Sequence, residues 1–368
     1  MLVVHKNQDM KLSRTGIIIA ITLALSSKAS ASSKAAKNRP KLKASKITKA
    51  SKRAYSSRSY ISWGSYSMSI PPQDNTHVIT IDIGQVSRTF TVFDPASLPN
   101  TNKKRPVIIA FHGLGGDSEA MRRSTQFDRV AKQRGWLVVY PLGEIDKGLT
   151  YWNGQGCCKE DGADDISFAK TIIDYTVTNF QVDEDNVFIS GFSNGAFMGY
   201  KLLCELGNRD NGKPWITAIA VHSGLIGAWG SDFNSCSIPN KIPLLHFHGE
   251  LDPGYFVPIA GKCKGRFCLP FPNAEWKSLE DSIVFVAQKM CGSSDITSSS
   301  NPSGTTACNQ LCYGGVEYCL VEDMGHHWSG SSTPDADGNH PQMYDPAHAK
   351  NVDATEYFAA FFDRISTK

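Results

Sequence analysis

The segment VFISGFSNGAFMGY, Val187 to Tyr200, begins apolar, breaks at Gly191, sets Ser193 between Gly191 and Gly195, and resumes with helix-forming residues. A Gly-x-Ser-x-Gly corner between a strand and a helix lifts a serine hydroxyl clear of a sheet. The pentapeptide alone is weak, since a chain of this composition contains one by chance roughly 0.3 times. A neutral serine is also a poor nucleophile, needing an adjacent base that is oriented in turn by an acid. On a parallel sheet with such a corner, the chain order is serine, then Asp or Glu, then histidine. LLHFHGELDP brings Asp252 just past a strand-like run, and VEYCLVEDMGHHWSG does the same for Gly325-His326-His327-Trp328. Among ten histidines only His326, His327, His340 and His348 follow Asp252, and only the first two directly follow a strand-like run. The order is met with Ser193 as nucleophile, Asp252 as acid and His326 as base. His327 is the second choice of base, and Glu250 and Asp323 compete for the acid. His112, His222 and His248 also close strand-like runs; taken singly, each reads as a hydrogen-bonded structural histidine.

Acyl transfer further needs donors for an oxyanion. The candidates are the backbone N–H of Asn194, which follows the nucleophile, and that of Leu114 in the earlier FHGLGG loop. The alternative for a glycine-rich loop after a strand is phosphate binding. Its spacing fits neither a dinucleotide fingerprint nor a P-loop with its lysine, so a nucleotide is set aside. Trp152, Phe192, Tyr255 and Trp328 flank the strand ends and read as an aromatic wall for substrate, with core packing as the competing role, above all for Phe192.

The elements that must hold these residues follow from hydrophobic period. HVITIDIG and SRTFTVF alternate as a half-buried hairpin. RPVIIAFHG, WLVVYP, NVFISG, ITAIAVHSG and IPLLHFHG are short and continuously apolar, as buried parallel strands are. Helical segments are expected at Glu119 to Arg134, from Asp165 with Asp164 or Asp165 as cap, at Asn194 to Leu206, at Glu275 to Met290 and at Asp353 to Ile365. Strands alternating with helices predict an α/β fold, one mostly parallel central sheet covered by helices on both faces, over residues 75–368.

Residues 1–73 carry 14 Lys/Arg and one acid, a balance of +13 in a chain of net +3, so the remainder stands at about −10. MKLSRTGIIIAITLALSSKASA, from Met10, has a basic start, an apolar core too short to span a bilayer and an Ala-x-Ala site. That is the layout of a signal peptide over residues 1–31, with Met10 as a candidate start and an uncleaved anchor as the alternative. Residues 32–74 open with Ser, Lys and Ala and little to bury, so they read as a disordered linker able to adhere to an anionic surface. An acidic folded part in an exported chain argues against nucleic acid. Ten cysteines in an exported chain argue for disulfides, with Cys263 and Cys268 closing a small loop and the Cys291 to Cys319 cluster pairing within itself. Cys204 reads equally as a buried free thiol. The cysteine spacing lacks a second matched pair for zinc.

FHGLGG, YPLG, YWNGQGCC, DDISF, VDEDNVFISGFSNGAFMGYKL, HGELDP, GHHW and VDATEYFAAFF occur in the order found in a secreted esterase family. That family groups polyhydroxybutyrate depolymerase-like enzymes with feruloyl and acetyl xylan esterases, and the resemblance runs from His112 to Phe362. It implies an α/β-hydrolase fold, Ser193, Asp252 and His326 in the roles above, and neither metal nor cofactor. It also favours His326, the histidine two places before the tryptophan. The expected function is a secreted, monomeric serine ester hydrolase acting on feruloyl or acetyl esters of cell-wall polysaccharides. The alternatives are a polyhydroxybutyrate depolymerase and an inactive polysaccharide-binding protein. Two departures bear on substrate: Ser329 stands where the family has proline, and the DPGYFVP loop is longer.

Overall fold

The alternating segments expected at the start pair antiparallel as β1 (Thr76–Ile83) and β2 (Val86–Phe93), with Ile79 opposite Phe90. The computed structural model describes residues 75–95, 104–154, 156–158, 162–229, 236–252, 257–261, 274–330 and 352–366. The signal peptide and linker expected over residues 1–74, Tyr255, Cys263 and Cys268 lie outside them.

After the hairpin the chain runs through β3 (Arg105–Phe111), α1 (Ser118–Thr125), α2 (Phe127–Arg134) and β4 (Leu137–Pro141). A small hairpin, β5 (Glu144–Asp146) and β6 (Leu149–Tyr151), precedes α3 (Asp165–Asn179), β7 (Val182–Phe192), α4 (Asn194–Glu205), β8 (Ala218–His222) and β9 (Gly227–Trp229). Then come β10 (Leu244–Gly249), β11 (Ala274–Trp276), α5 (Leu279–Cys291), β12 (Ile296–Ser300), β13 (Thr306–Leu311), β14 (Val316–Val321) and α6 (Ala354–Ile365).

Among the described residues ten strands form one sheet in the order β1-β2-β4-β3-β7-β8-β10-β14-β13-β12. Its centre, from β4 to β14, is parallel, and β2 and β13 join antiparallel at either side. Continuous apolar runs are explained by two-sided burial. In β3, Val107, Ile109 and Phe111 join the core that holds α3, α4 and α5 on one face, whereas Ile108 and Ala110 join the core that holds α1, α2 and α6 on the other. This is the α/β-hydrolase architecture expected.

Two local expectations change, and one strand was not foreseen. The single helix foreseen between Glu119 and Arg134 is two, because Gln126 turns left-handed at φ 53° and ends α1 while starting α2. The helix expected from Glu275 begins at Leu279, where Ser278 caps it by accepting the Asp281 N–H, and Ala274–Trp276 pairs instead with β9. Exposed β12, ITSSS, has no apolar period to announce it; hydroxyls of Ser298 and Ser299 tie it to Gln310 and Asn309 on β13. Disulfides join Cys157 to Cys158, Cys204 to Cys236, Cys291 to Cys312 and Cys308 to Cys319. Cys204 is therefore bonded, and the late cysteines do pair among themselves.

Candidate active site

Ser193 sits at the junction of β7 and α4 with φ 52° and ψ −118°, a backbone that L-residues rarely adopt. The corner closes so tightly that a Cβ on Gly191 would lie 2.2 Å from the Gly195 carbonyl oxygen, and one on Gly195 would lie 2.0 Å from that of Phe111. Only glycine fits at either place. The serine's own N–H donates to the His222 carbonyl at 3.0 Å, fixing the corner to β8.

The loops after β10 and β14 converge on this hydroxyl. His326 Nε2 lies 2.8 Å from Ser193 Oγ, and its Nδ1 lies 2.7 Å from Asp252 Oδ2. An ionised carboxylate only accepts, so Nδ1 carries the proton and Nε2 is left to accept from the serine. Burial raises a carboxyl pKa, but the neighbouring His326 imidazole and hydrogen bonds from His248 and His326 outweigh it, holding Asp252 well below the usual carboxylate range. The Val257 N–H also donates to Asp252 Oδ1 at 3.1 Å. The competing carboxylates Glu250 and Asp323 are exposed, and neither has a hydrogen bond to His326 among the described residues.

The loop after β3 approaches the serine, since a Cβ on Gly113 would lie 3.3 Å from that of Ser193. Asn194 is the first residue of α4, and the opening N–H groups of a helix have no partner within it. The Leu114 N–H takes part in no main-chain bond among the described residues, whereas Gly115 and Gly116 donate to the carbonyls of Thr150 and Gly113. This loop is braced by His112, a hydrogen-bonded structural histidine as expected. His112 Nε2 accepts the Gly143 N–H at 2.9 Å, so its Nδ1–H donates to the Gly113 carbonyl at 2.7 Å. Burial lowers its pKa to about 4, which keeps the ring in that one neutral tautomer. Asn194 adds a second lock, its amide accepting from the Trp152 N–H at 2.7 Å and donating to the Trp152 carbonyl at 3.1 Å. A buried Arg88–Asp165 pair at 2.8 Å anchors the same loop, with Asp165 also accepting the Asn153 N–H.

The aromatic wall is corrected. Trp152 is 0% exposed, its ring packed on Phe111 and Phe168 and its indole N–H donating to the His112 carbonyl at 2.9 Å. Trp328 is 3% exposed, set among Phe127 and Phe358 with its N–H on Thr355. A buried indole with its N–H satisfied is structural; neither ring offers a face to a ligand. Phe192 is partly exposed and tilts against the His326 ring at 5.1 Å.

Ser329 holds the His326 loop by two bonds, its N–H donating to His222 Nε2 at 3.3 Å and its hydroxyl to the Val352 carbonyl at 2.7 Å. Proline could make neither. One cluster of metal-type side chains occurs among the described residues, Cys308, Glu317 and Cys319, but its two sulfurs are joined in a disulfide.

No protein-family model matches the chain. It is 28% identical over 166 residues to a bifunctional acetylxylan esterase/xylanase of Neocallimastix patriciarum, covering 45% of this chain and 21% of that protein. It is 26% identical over 205 residues to feruloyl esterase D of Neurospora crassa, covering 54% and 64% respectively. The chain thus spans about a fifth of the first relative and under two thirds of the second. In fold it is similar to an acetyl xylan esterase from Aspergillus awamori, with a TM-score of 0.51 at 12% identity over 73% of this chain and 98% of that one. In sequence the chain is thus similar to acetylxylan and feruloyl esterases, and in fold it has the α/β-hydrolase architecture of an acetyl xylan esterase.

Proposed function

We propose that the chain hydrolyses carboxylic esters with Ser193 as nucleophile, His326 as general base and acid, and Asp252 as the carboxylate that orients and stabilises the imidazolium. The carrying observation is the line Asp252–His326–Ser193, with contacts of 2.7 and 2.8 Å; the N–H groups of Leu114 and Asn194 are the proposed oxyanion donors. Ser193 Oγ attacks the ester carbonyl carbon while its proton passes to His326 Nε2. The two N–H groups hold the oxyanion as it forms. Collapse breaks the bond to the alcohol, which takes the proton from Nε2. Water then enters, gives a proton to Nε2 and attacks the acyl group; the acid departs and Ser193 recovers its hydrogen. The route draws on no metal or cofactor.

The substrates of this reading are acetyl or feruloyl esters of cell-wall polysaccharides, supported by the acetylxylan and feruloyl esterases among the relatives. Four disulfides among the described residues support action in an oxidising, extracellular compartment. In this reading residues 1–31 are the export signal and the chain is a monomer. The test compares acetate, ferulate and hydroxybutyrate release from acetylated xylan, feruloylated arabinoxylan and polyhydroxybutyrate. Ser193→Ala should lower kcat by about 10⁶ if the triad acts as a unit. Retention of most activity overturns the assignment, and wild-type protein inert to a fluorophosphonate indicates a non-catalytic binding protein instead.

A further inference from the structure

Strand β10 carries His246 and His248 two residues apart, hence on one face. Both are fully buried, with rings stacked at 5.3 Å and 9°. Buried imidazoles are costly to retain unless every ring nitrogen is satisfied, and here a continuous chain satisfies them. Tyr200 lies on α4, seven residues after Ser193 and so two turns along the same face. Its hydroxyl is 2.7 Å from His246 Nδ1. His246 Nε2 is 3.0 Å from His248 Nδ1, and His248 Nε2 is 2.7 Å from the Val257 carbonyl and 3.3 Å from Asp252 Oδ2.

The proton polarity of this chain is fixed from one end. The Val257 carbonyl and the Asp252 carboxylate only accept, so His248 Nε2 carries a proton. With neutral rings, His248 Nδ1 must accept, His246 Nε2 must donate, His246 Nδ1 must accept, and the Tyr200 hydroxyl must donate. Burial and the neighbouring His248 hold His246 well below its ordinary pKa, which keeps that ring neutral. The last donor in the series faces the carboxylate oxygen that His326 uses, while Val257 closes the arrangement by donating its N–H to Asp252 Oδ1 and accepting from His248 at its carbonyl.

We infer that Tyr200, His246 and His248 form a positioning chain for Asp252: His248 aims the carboxylate at His326, and Tyr200 anchors the chain's far end by donating to His246 from the helix that presents Ser193. None of the three touches the reacting atoms. The inference rests on the serine-esterase reading and goes beyond its three-residue relay.

The test uses His248→Leu, His248→Gln and Tyr200→Phe in the full chain, with ester kinetics, fluorophosphonate labelling rate and the low-field proton resonance of His326 Nδ1–H. His248→Leu should lower kcat about 10- to 100-fold, the amount one hydrogen bond to a charged group supports, with KM little changed and labelling slowed in parallel. His248→Gln, whose amide N–H can reach the carboxylate, should restore most of the loss. Tyr200→Phe should lower kcat about 2- to 10-fold, as for one neutral hydrogen bond, and shift the low-field resonance. Wild-type kcat in a folded His248→Leu, or equal impairment of the Leu and Gln variants at equal stability, overturns the proposal. If His248→Leu does not fold, Tyr200→Phe decides, and an unmoved kcat and resonance overturn it. Wild-type protein that resists labelling removes the esterase reading and this proposal with it.

Discussion

Gly195→Ala separates the oxyanion donors from the rest of the proposed machinery. The new Cβ would stand 2.0 Å from the Phe111 carbonyl oxygen and 2.7 Å from that of His112. Cβ atoms essentially never come within 3.0 Å of a neighbour, so α4 and the end of β3 must part by at least 1.0 Å. Asn194 moves with the helix and Leu114 with the strand end, so the two N–H groups diverge while Ser193, His326 and Asp252 remain present. A 1 Å misplacement costs about 10² in rate, and loss of one oxyanion donor costs about 10² to 10³. We therefore expect kcat/KM on p-nitrophenyl acetate to fall about 10² to 10³, with overpacking costing roughly 1–3 kcal/mol of stability. Gly199→Ala is the control on the same helix. Its Cβ would meet a side-chain methyl, Val221 Cγ1, at 2.8 Å, so it leaves the corner alone. Wild-type kinetics in a folded Gly195→Ala protein would refute the reasoning. Equal losses in both variants would also refute it, because they would trace the effect to the helix as a whole.

Asn194→Ala leaves the Trp152 N–H and carbonyl unpaired in a buried site, which should cost about 3 kcal/mol in urea unfolding; an unchanged midpoint would show that the pairing contributes nothing. Ser329→Pro restores the residue of the resembled family yet should cost about 2 kcal/mol and lower kcat, because it strips the bonds to His222 and Val352. Acid stability should be set by histidines. Burial lowers His112 to about 4 and holds His222 and His246 well below the ordinary 6.5. Between the folded and unfolded values the unfolded chain binds the extra protons, so stability is fully present above about pH 6.5 and falls as pH drops towards 4. Each proton contributes about 1.4 kcal/mol per pH unit, and His112 alone about 3 kcal/mol over the window. Asp252, depressed instead, retains its contribution throughout that range. Unfolding free energies between pH 7.5 and 4.5 check this, and a slope below one proton would contradict it.

Legibility in the sequence followed two-sided burial and chain order. The runs VIIAF, LVVYP and LLHFHG could only be interior parallel strands, and their ends are where a ligand meets such a sheet. That logic brought Ser193, Asp252 and His326 to one point, and the GHHW motif chose between adjacent histidines. It failed where side-chain direction mattered. Trp152 and Trp328 stand beside site motifs along the chain, but their indole N–H groups turn inward to the His112 carbonyl and Thr355. Glu119 to Arg134 was amphipathic throughout, and nothing in Gln126 itself announces a left-handed residue. His112 is the hydrogen-bonded structural histidine expected, but its tautomer was not legible because it depends on Gly143, thirty-one residues away.

The two sides of the candidate site are held by different means, and this bears on how it can fail. On the oxyanion side, main-chain groups of separate loops are pinned by two side chains, His112 and Asn194, each using both of its polar ends. On the acid side, imidazoles pass one proton direction from Tyr200 to Asp252. Both supports are rooted in α4, through Asn194 at its first residue and Tyr200 two turns later, and Ser193 stands at the N-cap of that same helix. A shift of α4 as a body would therefore carry serine and supports together, whereas a change confined to its first turn separates the serine from the β3 loop. The glycines that let this turn touch β3 are for that reason the places where a single methyl should do the most damage to chemistry relative to its effect on the fold.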